Sequence, residues 1–457
     1  MESVPETNRP QNRTTVLQTK LYQAAMRDKA RRFHALHDKL YVPYVMRSAW
    51  EMVRKNRGAC GIDGQTLTDI EAYGVDRFLE ETAQSVREDT YRPEPVRRVH
   101  IPKPDGKLRP LGIPTVRDRV VQAAAKLILE PIFEADFEGC SFGFRPGIGA
   151  QEALGSVAES AQKGYRWVVD ADIEQFFDNL DHQELMAALS RRIGDGAMLR
   201  LIYRWLKAGY LWEGSYHDTD QGSPQGGVLS PLLANVYLHT FDKAFGQQKA
   251  FIGRLTRYAD DFVIQCGSEE MARRALAWAQ EQLEKLKLRL HPEKTRIVND
   301  REEGFDFLGF RHQRVVLGPH VRKGAGKESY GVLRWPGKKA QNKFRAQIRA
   351  RVGPPMRLRS CWKQVMRELR AYLVGWCQYY RHGQSGRVFQ RLDYYVHERV
   401  SRNLARSQPT GKRRSRRKWG YYAERLAKWG KMPRLLTLQH GKFASYRGEA
   451  NVMWRAV

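Results

Sequence analysis

Arg257-Tyr258-Ala259-Asp260-Asp261-Phe262-Val263-Ile264 puts two adjacent carboxylates inside a run of aromatic and β-branched residues. Such residues favour strands, where Asp is depleted and is seldom buried without a partner. A second run carries the same anomaly: Val168-Val169-Asp170-Ala171-Asp172-Ile173-Glu174-Gln175-Phe176-Phe177-Asp178. Carboxylates gathered at adjacent strand ends repel one another and need a cation. Hard oxygen donors suit Mg²⁺, which keeps waters and substrate phosphates in its shell. Two such ions about 3.5–4 Å apart would activate an attacking oxygen and stabilise a leaving one. Asp170, Asp178 and Asp181 serve equally well as turn caps, and for them both readings stay open.

Working outward, residues 96–310 alternate between short β-type runs and helical patterns. The β-type runs are Val96–Ile101, Trp167–Ile173, Thr256–Cys266 and Thr295–Val298. Helical spacing covers Asp118–Ile132, Ala150–Lys163, Asp181–Arg192, Pro231–Phe245 and Met271–Leu286. The mixture predicts an α+β fold, a sheet with helices packed on it. Before it, Val42–Lys55 reads as a helix that stops at Gly58, followed by the glycine-rich loop Gly58–Gly64 and a helix over Asp76–Glu88. After it, residues 315–335 read as a hairpin with a polar tip at Lys323–Ser329. The chain then turns all-helical. Ser360–Arg381 sets Val365, Leu369, Tyr372, Leu373, Trp376, Tyr379 and Tyr380 on one stripe, a core face.

Of the 457 residues, 42% are hydrophobic and 28% charged, which suits folded cores rather than wholesale disorder. No uncharged apolar run reaches the length of a membrane span, and the polar first 40 residues lack a signal-peptide core. Five scattered cysteines without a C-x-x-C point to a reducing, cytoplasmic setting. The net charge is +29, and it is segregated. Residues 311–457 hold 36 Lys and Arg against 6 Asp and Glu, while residues 1–310 hold 43 against 44. Charge kept for solubility would be spread evenly, so this is the footprint of a polyanion-binding surface. The densest run, Lys412 to Lys418, contains Arg413, Arg414, Arg416 and Arg417 and leads into Trp419, Tyr421, Tyr422 and Trp429. Cations interleaved with aromatics suit nucleic acid, neutralising phosphates and stacking on bases.

Tyr258-Ala259-Asp260-Asp261 resembles the catalytic box of reverse transcriptases. Gln221-Gly222-Ser223-Pro224-Gln225-Gly226-Gly227-Val228-Leu229-Ser230-Pro231 resembles their Pro-Gln-Gly block. Ile101 to Pro114 resembles their fingers, and Phe305-Asp306-Phe307-Leu308-Gly309-Phe310 the block before the thumb. A lone Y-x-D-D is a weak signal; four blocks in order over residues 40–310 are specific. The Gly58–Gly64 loop and Gly375-Trp376-Cys377-Gln378-Tyr379-Tyr380-Arg381 resemble the reverse transcriptase–maturases encoded by bacterial group II introns. Many members end in a zinc-dependent nuclease with paired cysteines, and nothing after Cys377 supplies such ligands. The expectation is therefore a chain without DNA endonuclease activity.

The resemblance implies a right-hand polymerase: an N-terminal helical extension (1–85), fingers and palm with an antiparallel sheet (86–312), a helical thumb (313–405) and a basic C-terminal region (406–457). It implies Asp172 and Asp260 as ligands of two Mg²⁺ ions, with Asp261 auxiliary. Asp172 rather than Asp170 is chosen because the family's first aspartate lies five residues before a bulky aromatic, here Phe177. Phe177 becomes the candidate gate against a ribose 2′-OH. Lys103 and Arg109 would clamp the triphosphate, Gln225 would reach the nascent base pair, and Tyr258 would lie beside the nucleotide. Expected partners are group II intron RNA, a DNA target or primer and dNTPs, with no membrane; a homodimer stays open. Alternatives are a domesticated reverse transcriptase in host repair or CRISPR adaptation, and an RNA-binding maturase without polymerase activity.

Overall fold

The computed structural model describes residues 10–102, 108–316, 330–354, 361–406 and Leu435. Cα packing divides them into two compact units: residues up to 157 with 169–297, and residues 158–168 with those from 298 to 435. No helix among the described residues is long and apolar enough to cross a membrane.

The first unit is built on α5 (Val116–Glu134). Val120, Val121, Ala124, Ile128, Leu129 and Ile132 are fully buried along it, so this helix is covered on several sides. Helices α1 (Pro10–Arg27) and α2 (Pro43–Asn56) pack against it. The chain between α2 and α3 (Leu67–Tyr73) is the glycine-rich loop. Arg97 holds the Cys60 carbonyl at 2.8 Å and Arg119 holds that of Ala59 at 2.7 Å. The helix α4 (Val75–Arg87) follows.

A four-stranded sheet has the order β2-β1-β4-β5. Strand β1 (Val96–Pro102) runs antiparallel to β2 (Leu108–Ile113) and parallel to β4 (Tyr210–Trp212), which pairs antiparallel with β5 (Ser215–His217). The sequence reading gave only β1 of these four. Strands β4 and β5 are three residues each, too short for alternation to register.

A second sheet has the order β6-β7-β3-β8: β6 (Arg254–Tyr258), β7 (Asp261–Cys266), β3 (Trp167–Asp172) and β8 (Arg296–Asn299). The run read as one strand over 256–266 is a hairpin, turned at Ala259-Asp260. Helix α6 (Ala150–Gln162) precedes β3 in the chain, and helices α7 (His182–Ser190), α9 (Ser230–Ile252) and α10 (Glu269–Lys285) belong to this region. Helix α9 extends beyond the expected Phe245. Between α7 and the first sheet lies α8 (Gly196–Leu206).

The second unit opens with a three-stranded antiparallel sheet in the order β11-β10-β9, with β9 (Phe305–Phe307), β10 (Phe310–Val316) and β11 (Tyr330–Pro336). The expected hairpin tip, Lys323–Ser329, lies outside the described residues. Three helices follow, Lys338–Val352, Trp362–Tyr380 and Gly386–Arg406. On the second, Val365, Leu369 and Leu373 are fully buried. Phe344 of the first helix meets Trp376 at 4.7 Å between ring centroids, and Phe310 meets Tyr380 at 4.9 Å. The aromatic stripe is therefore core. The fold is the α+β arrangement expected.

Candidate active site

Strands β6 and β7 pair Thr256 with Val263 and Tyr258 with Asp261, which leaves Ala259 and Asp260 as the turn. Ala259 sits at φ +59°, a left-handed conformation that an alanine adopts at some cost. Gly143 explains part of how the turn is held. A Cβ there would lie 2.3 Å from the Ala259 nitrogen, so only glycine lets the two backbones approach. In β3, Val168, Val169 and Ala171 are buried, whereas Asp170 and Asp172 are half-buried. Alternation puts those two aspartates on one face of the strand next to β7.

The four carboxylates act on one another. Burial, with Asp170, Asp172 and Asp260 adding to it, pushes the Asp261 pKa up to about 8. Burial also raises Asp260; Asp172 adds to that, while Arg109 and Lys294 oppose it. Two cations answer part of the charge. Lys294 Nζ donates to Asp172 Oδ2 at 2.5 Å and Arg296 Nε to Asp170 Oδ2 at 3.2 Å. Among the described residues neither Asp260 nor Asp261 makes an ion pair, and no three His, Cys, Asp or Glu side chains converge into a ready metal-ligand set. The donors are nonetheless all hard oxygens in mutual repulsion, and that chemistry fits a magnesium-class cation.

Behind the turn is a buried network. Arg257 and Asp242 are 0% exposed and form an ion pair at 2.5 Å. Arg257 also donates to the Ala259 carbonyl at 2.8 Å, to Asn235 Oδ1 at 3.2 Å and to Ser141 Oγ at 2.6 Å. Burial works against its charge, and Asp242 overrides this to hold the guanidinium above its usual range. Arg257 is thus a brace on the turn that carries Asp260.

The loop 221–230 is stitched to the turn after β3. Gly222 N–H donates to the Leu180 carbonyl at 2.7 Å and Ser223 N–H to that of Phe177 at 2.8 Å. Gly112 N–H donates to the Gln225 carbonyl at 2.8 Å, tying the loop to β2 as well. At Gly226, φ is +123° and a Cβ would stand 2.5 Å from the Gly112 carbonyl oxygen, so this turn too requires glycine. Ser230 Oγ donates to the Pro224 carbonyl at 2.9 Å at the start of α9. Phe177 is half-buried, edge-on to Phe176 at 5.3 Å.

Asp172, Asp260 and Asp261 therefore lie within electrostatic reach of one another, and Arg109 and Lys294 within reach of Asp260. Arg109 is exposed on β2, and Tyr258 is half-buried at the end of β6. Lys103, Arg413, Arg414, Arg416, Arg417 and Lys418 lie outside the described residues. Asp181 resolves as a cap: it accepts from the Glu184 N–H at 3.0 Å and pairs with Lys287 at 2.8 Å. Asp170 is paired by Arg296. Sequence reasoning missed Lys294, Arg296, Arg257 and Asp242. The legible signal was Arg257 itself, a charge inside an apolar strand.

A family profile described as reverse transcriptase (RNA-dependent DNA polymerase) matches residues 101–312, and one for the group II intron maturase-specific domain matches residues 341–422. The group II intron-encoded protein LtrA of Lactococcus lactis subsp. cremoris is 42% identical over 220 residues, which cover 48% of this chain and 36% of LtrA. The matched stretch thus spans little more than a third of that relative. Protein YkfC of Escherichia coli (strain K12) is 35% identical over 339 residues, covering 65% of this chain and 87% of its own. An uncharacterized 91 kDa protein in the cob intron of Schizosaccharomyces pombe is 37% identical over 197 residues, 43% of this chain and 24% of its own.

Proposed function

Because the chain belongs to the reverse transcriptases encoded by group II introns, we propose that it is an RNA-directed DNA polymerase that also binds its intron RNA as a splicing cofactor and supports intron mobility. The observation that carries the polymerase half is the gathering of Asp172, Asp260 and Asp261, in which burial and like charge raise Asp260 and Asp261. Acids in that state are matched to a cation rather than to water.

Asp172 and Asp260 would hold two Mg²⁺ ions, with Asp261 beside them. When bound, the ions supply Lewis-acid stabilisation of charge growing on the phosphoryl oxygens. The chain's own groups position the reactants, the larger part of phosphoryl-transfer catalysis. Lys103 and Arg109 neutralise the triphosphate, so that a primer 3′-OH meets the α-phosphorus and pyrophosphate departs. Phe177 occupies the space that a 2′-OH would need. Gln225, on a backbone anchored to β2, reaches the new base pair, and Tyr258 borders it.

The splicing half draws on the second unit. Lys338, Lys339, Lys343 and Arg349 are exposed on one helix and Arg387 and Arg391 on another, a surface for RNA phosphates. The basic run at Arg413–Lys418 extends the same charge in sequence. Asp172→Ala and Asp260→Ala should each abolish primer extension on an RNA template and leave intron RNA binding within about twofold. Extension near the wild-type rate in either variant overturns the site assignment. Loss of RNA binding in both would place the RNA surface on the carboxylates instead.

A further inference from the structure

A buried histidine stands behind the turn that carries Phe177. His182, in the first turn of α7, is 5% exposed. Its Nε2 lies 2.7 Å from the Gly222 carbonyl oxygen, and since a carbonyl only accepts, Nε2 carries the proton. Nδ1 is then an acceptor, and it is buried without a hydrogen-bond partner among the described residues. Burial lowers the pKa of the ring and favours its neutral form. A buried polar atom left unmade is a cost, so an imidazole is a poor choice for this position if stability is all it supplies.

The Gly222 carbonyl belongs to the same planar peptide as the Ser223 N–H. That N–H donates to the Phe177 carbonyl at 2.8 Å. One rigid unit therefore links the imidazole to the backbone of Phe177, and hydrogen bonds in such a chain strengthen one another. The approach is close. A Cβ on Gly222 would stand 3.0 Å from the Phe177 carbonyl oxygen and 2.8 Å from that of Asp178, and φ there is +89°. On its other side Phe177 has the buried Phe176 ring edge-on, which in turn meets Tyr237. The Phe177 ring is thus placed from two directions. Phe176 bears on the ring, and the Gly222–Ser223 peptide bears on the backbone from which the ring projects.

We propose that His182 is a positioning residue for sugar discrimination: it orients the Gly222–Ser223 peptide and so fixes where the Phe177 ring stands. The proposal rests on the reading of Phe177 as the gate against a ribose 2′-OH. A steric gate is only as sharp as its ring is well held, because the clash it enforces is with a single hydroxyl oxygen. Without the imidazole donor the Gly222 carbonyl is left unpaired in a buried seam. The peptide then rotates toward another donor, the bond to the Phe177 carbonyl weakens, and the ring gains room to yield to a 2′-OH. His182 touches neither nucleotide nor metal, so its loss should fall more on the choice between sugars than on the rate with a dNTP.

The test is single-nucleotide extension of a DNA primer on an RNA template with dNTP or rNTP, read as the ratio of the two kcat/KM values. His182→Ala should lower that preference for dNTP about tenfold. His182→Leu fills the site without a donor; it should do the same, and it stands in for His182→Ala if that variant does not fold. The His182→Gln amide nitrogen lies the same number of bonds from Cα as Nε2 and can donate to the Gly222 carbonyl, so this variant should keep the ratio within about twofold of wild type. In a Phe177→Val background, His182→Ala should change the ratio by less than about twofold, because the ring through which it acts is gone. A wild-type ratio in the variants that lack a donor, equal losses for dNTP and rNTP, no rescue by His182→Gln, or a full additional effect in the Phe177→Val background overturns the proposal. Failure of the gate reading appears separately, as a wild-type ratio in Phe177→Val itself.

Discussion

Asp242→Ala should lower the unfolding free energy by about 3–5 kcal/mol, because it leaves the Arg257 guanidinium buried without its counter-charge. Both side chains are 0% exposed, so water cannot take over the lost partner. The variant removes the bonds to Asp242 and leaves Arg257 those to Ala259, Asn235 and Ser141. Replacing both members, Arg257→Met with Asp242→Leu, removes the stranded charge. Apolar replacement of a whole buried pair is often neutral, but Asn235 Oδ1 and the Ala259 carbonyl then lack their donor, so stability should recover only in part, to about 1–3 kcal/mol below wild type.

Activity should not return with it. The double variant has no donor for the Ala259 carbonyl, so the turn at φ +59° keeps the close approach of Gly143 but loses the side-chain brace on its carbonyl. A displacement of about 1 Å at Asp260 is worth on the order of a hundredfold in rate. The assays are equilibrium urea unfolding, read as the midpoint at constant slope, and single-nucleotide primer extension, read as kcat and KM for the dNTP. The expected pattern is low stability for Asp242→Ala, partly recovered stability with a kcat down about a hundredfold for the double variant, and little change in KM. A double variant with wild-type kcat would reduce the pair to a stability element. A loss below about 1 kcal/mol in Asp242→Ala would refute the buried-pair reasoning itself.

Three further outcomes are expected. Burial pushes Asp118 up to about 6, against hydrogen bonds from Tyr91, Thr115 and the Glu94 N–H, so its contribution to stability is full below about pH 4 and is lost as pH rises through about 6; the unfolding free energy of Asp118→Asn relative to wild type should therefore climb by up to about 3 kcal/mol between pH 4 and 7, and a flat difference would contradict it. Phe177→Val should raise ribonucleotide incorporation against dNTP by about tenfold or more in a competition assay; unchanged selectivity would remove the gate role. Replacing Arg413, Arg414, Arg416 and Arg417 with Ala together should weaken DNA binding and flatten its dependence on salt concentration, since fewer counterions are released, while extension of an annealed primer at low salt survives.

The parts of the fold visible in sequence were those with local signals. The helix Trp362–Tyr380 shows its core as a stripe because packing there follows helical spacing. The turn at Ala259-Asp260 shows nothing of the kind. It has no Gly, Pro or Asn-Gly, and its left-handed alanine is held by Arg257 and by the gap at Gly143, more than a hundred residues away in sequence. Strands β4 and β5 are joined through Glu213 and Gly214, both at positive φ, but three residues a side leave no periodicity to read. The carboxylates were legible because acids stand out in apolar strands. Their cations were not: Lys294 meets Asp172 across 122 positions of sequence, and a lysine in a polar loop looks like any other.

The cations around the carboxylates divide by exposure, and the division fits what each can do. The Lys294 side chain is 58% exposed on a flexible stem, so it screens Asp172 and can give way when another cation or a phosphate arrives. Arg257 is fully buried, with its planar fork spread over Asp242, Asn235, Ser141 and the Ala259 carbonyl. Its charge is cancelled by Asp242, so it offers Asp260 geometry more than neutralisation. A site that must admit a divalent cation needs this separation. A fixed cation in front of the aspartates would compete with the metal, and a mobile residue behind them would let the turn drift. The β6–β7 hairpin keeps the rigid arginine on its buried side and leaves the repulsion among Asp172, Asp260 and Asp261 open to whatever ligand enters.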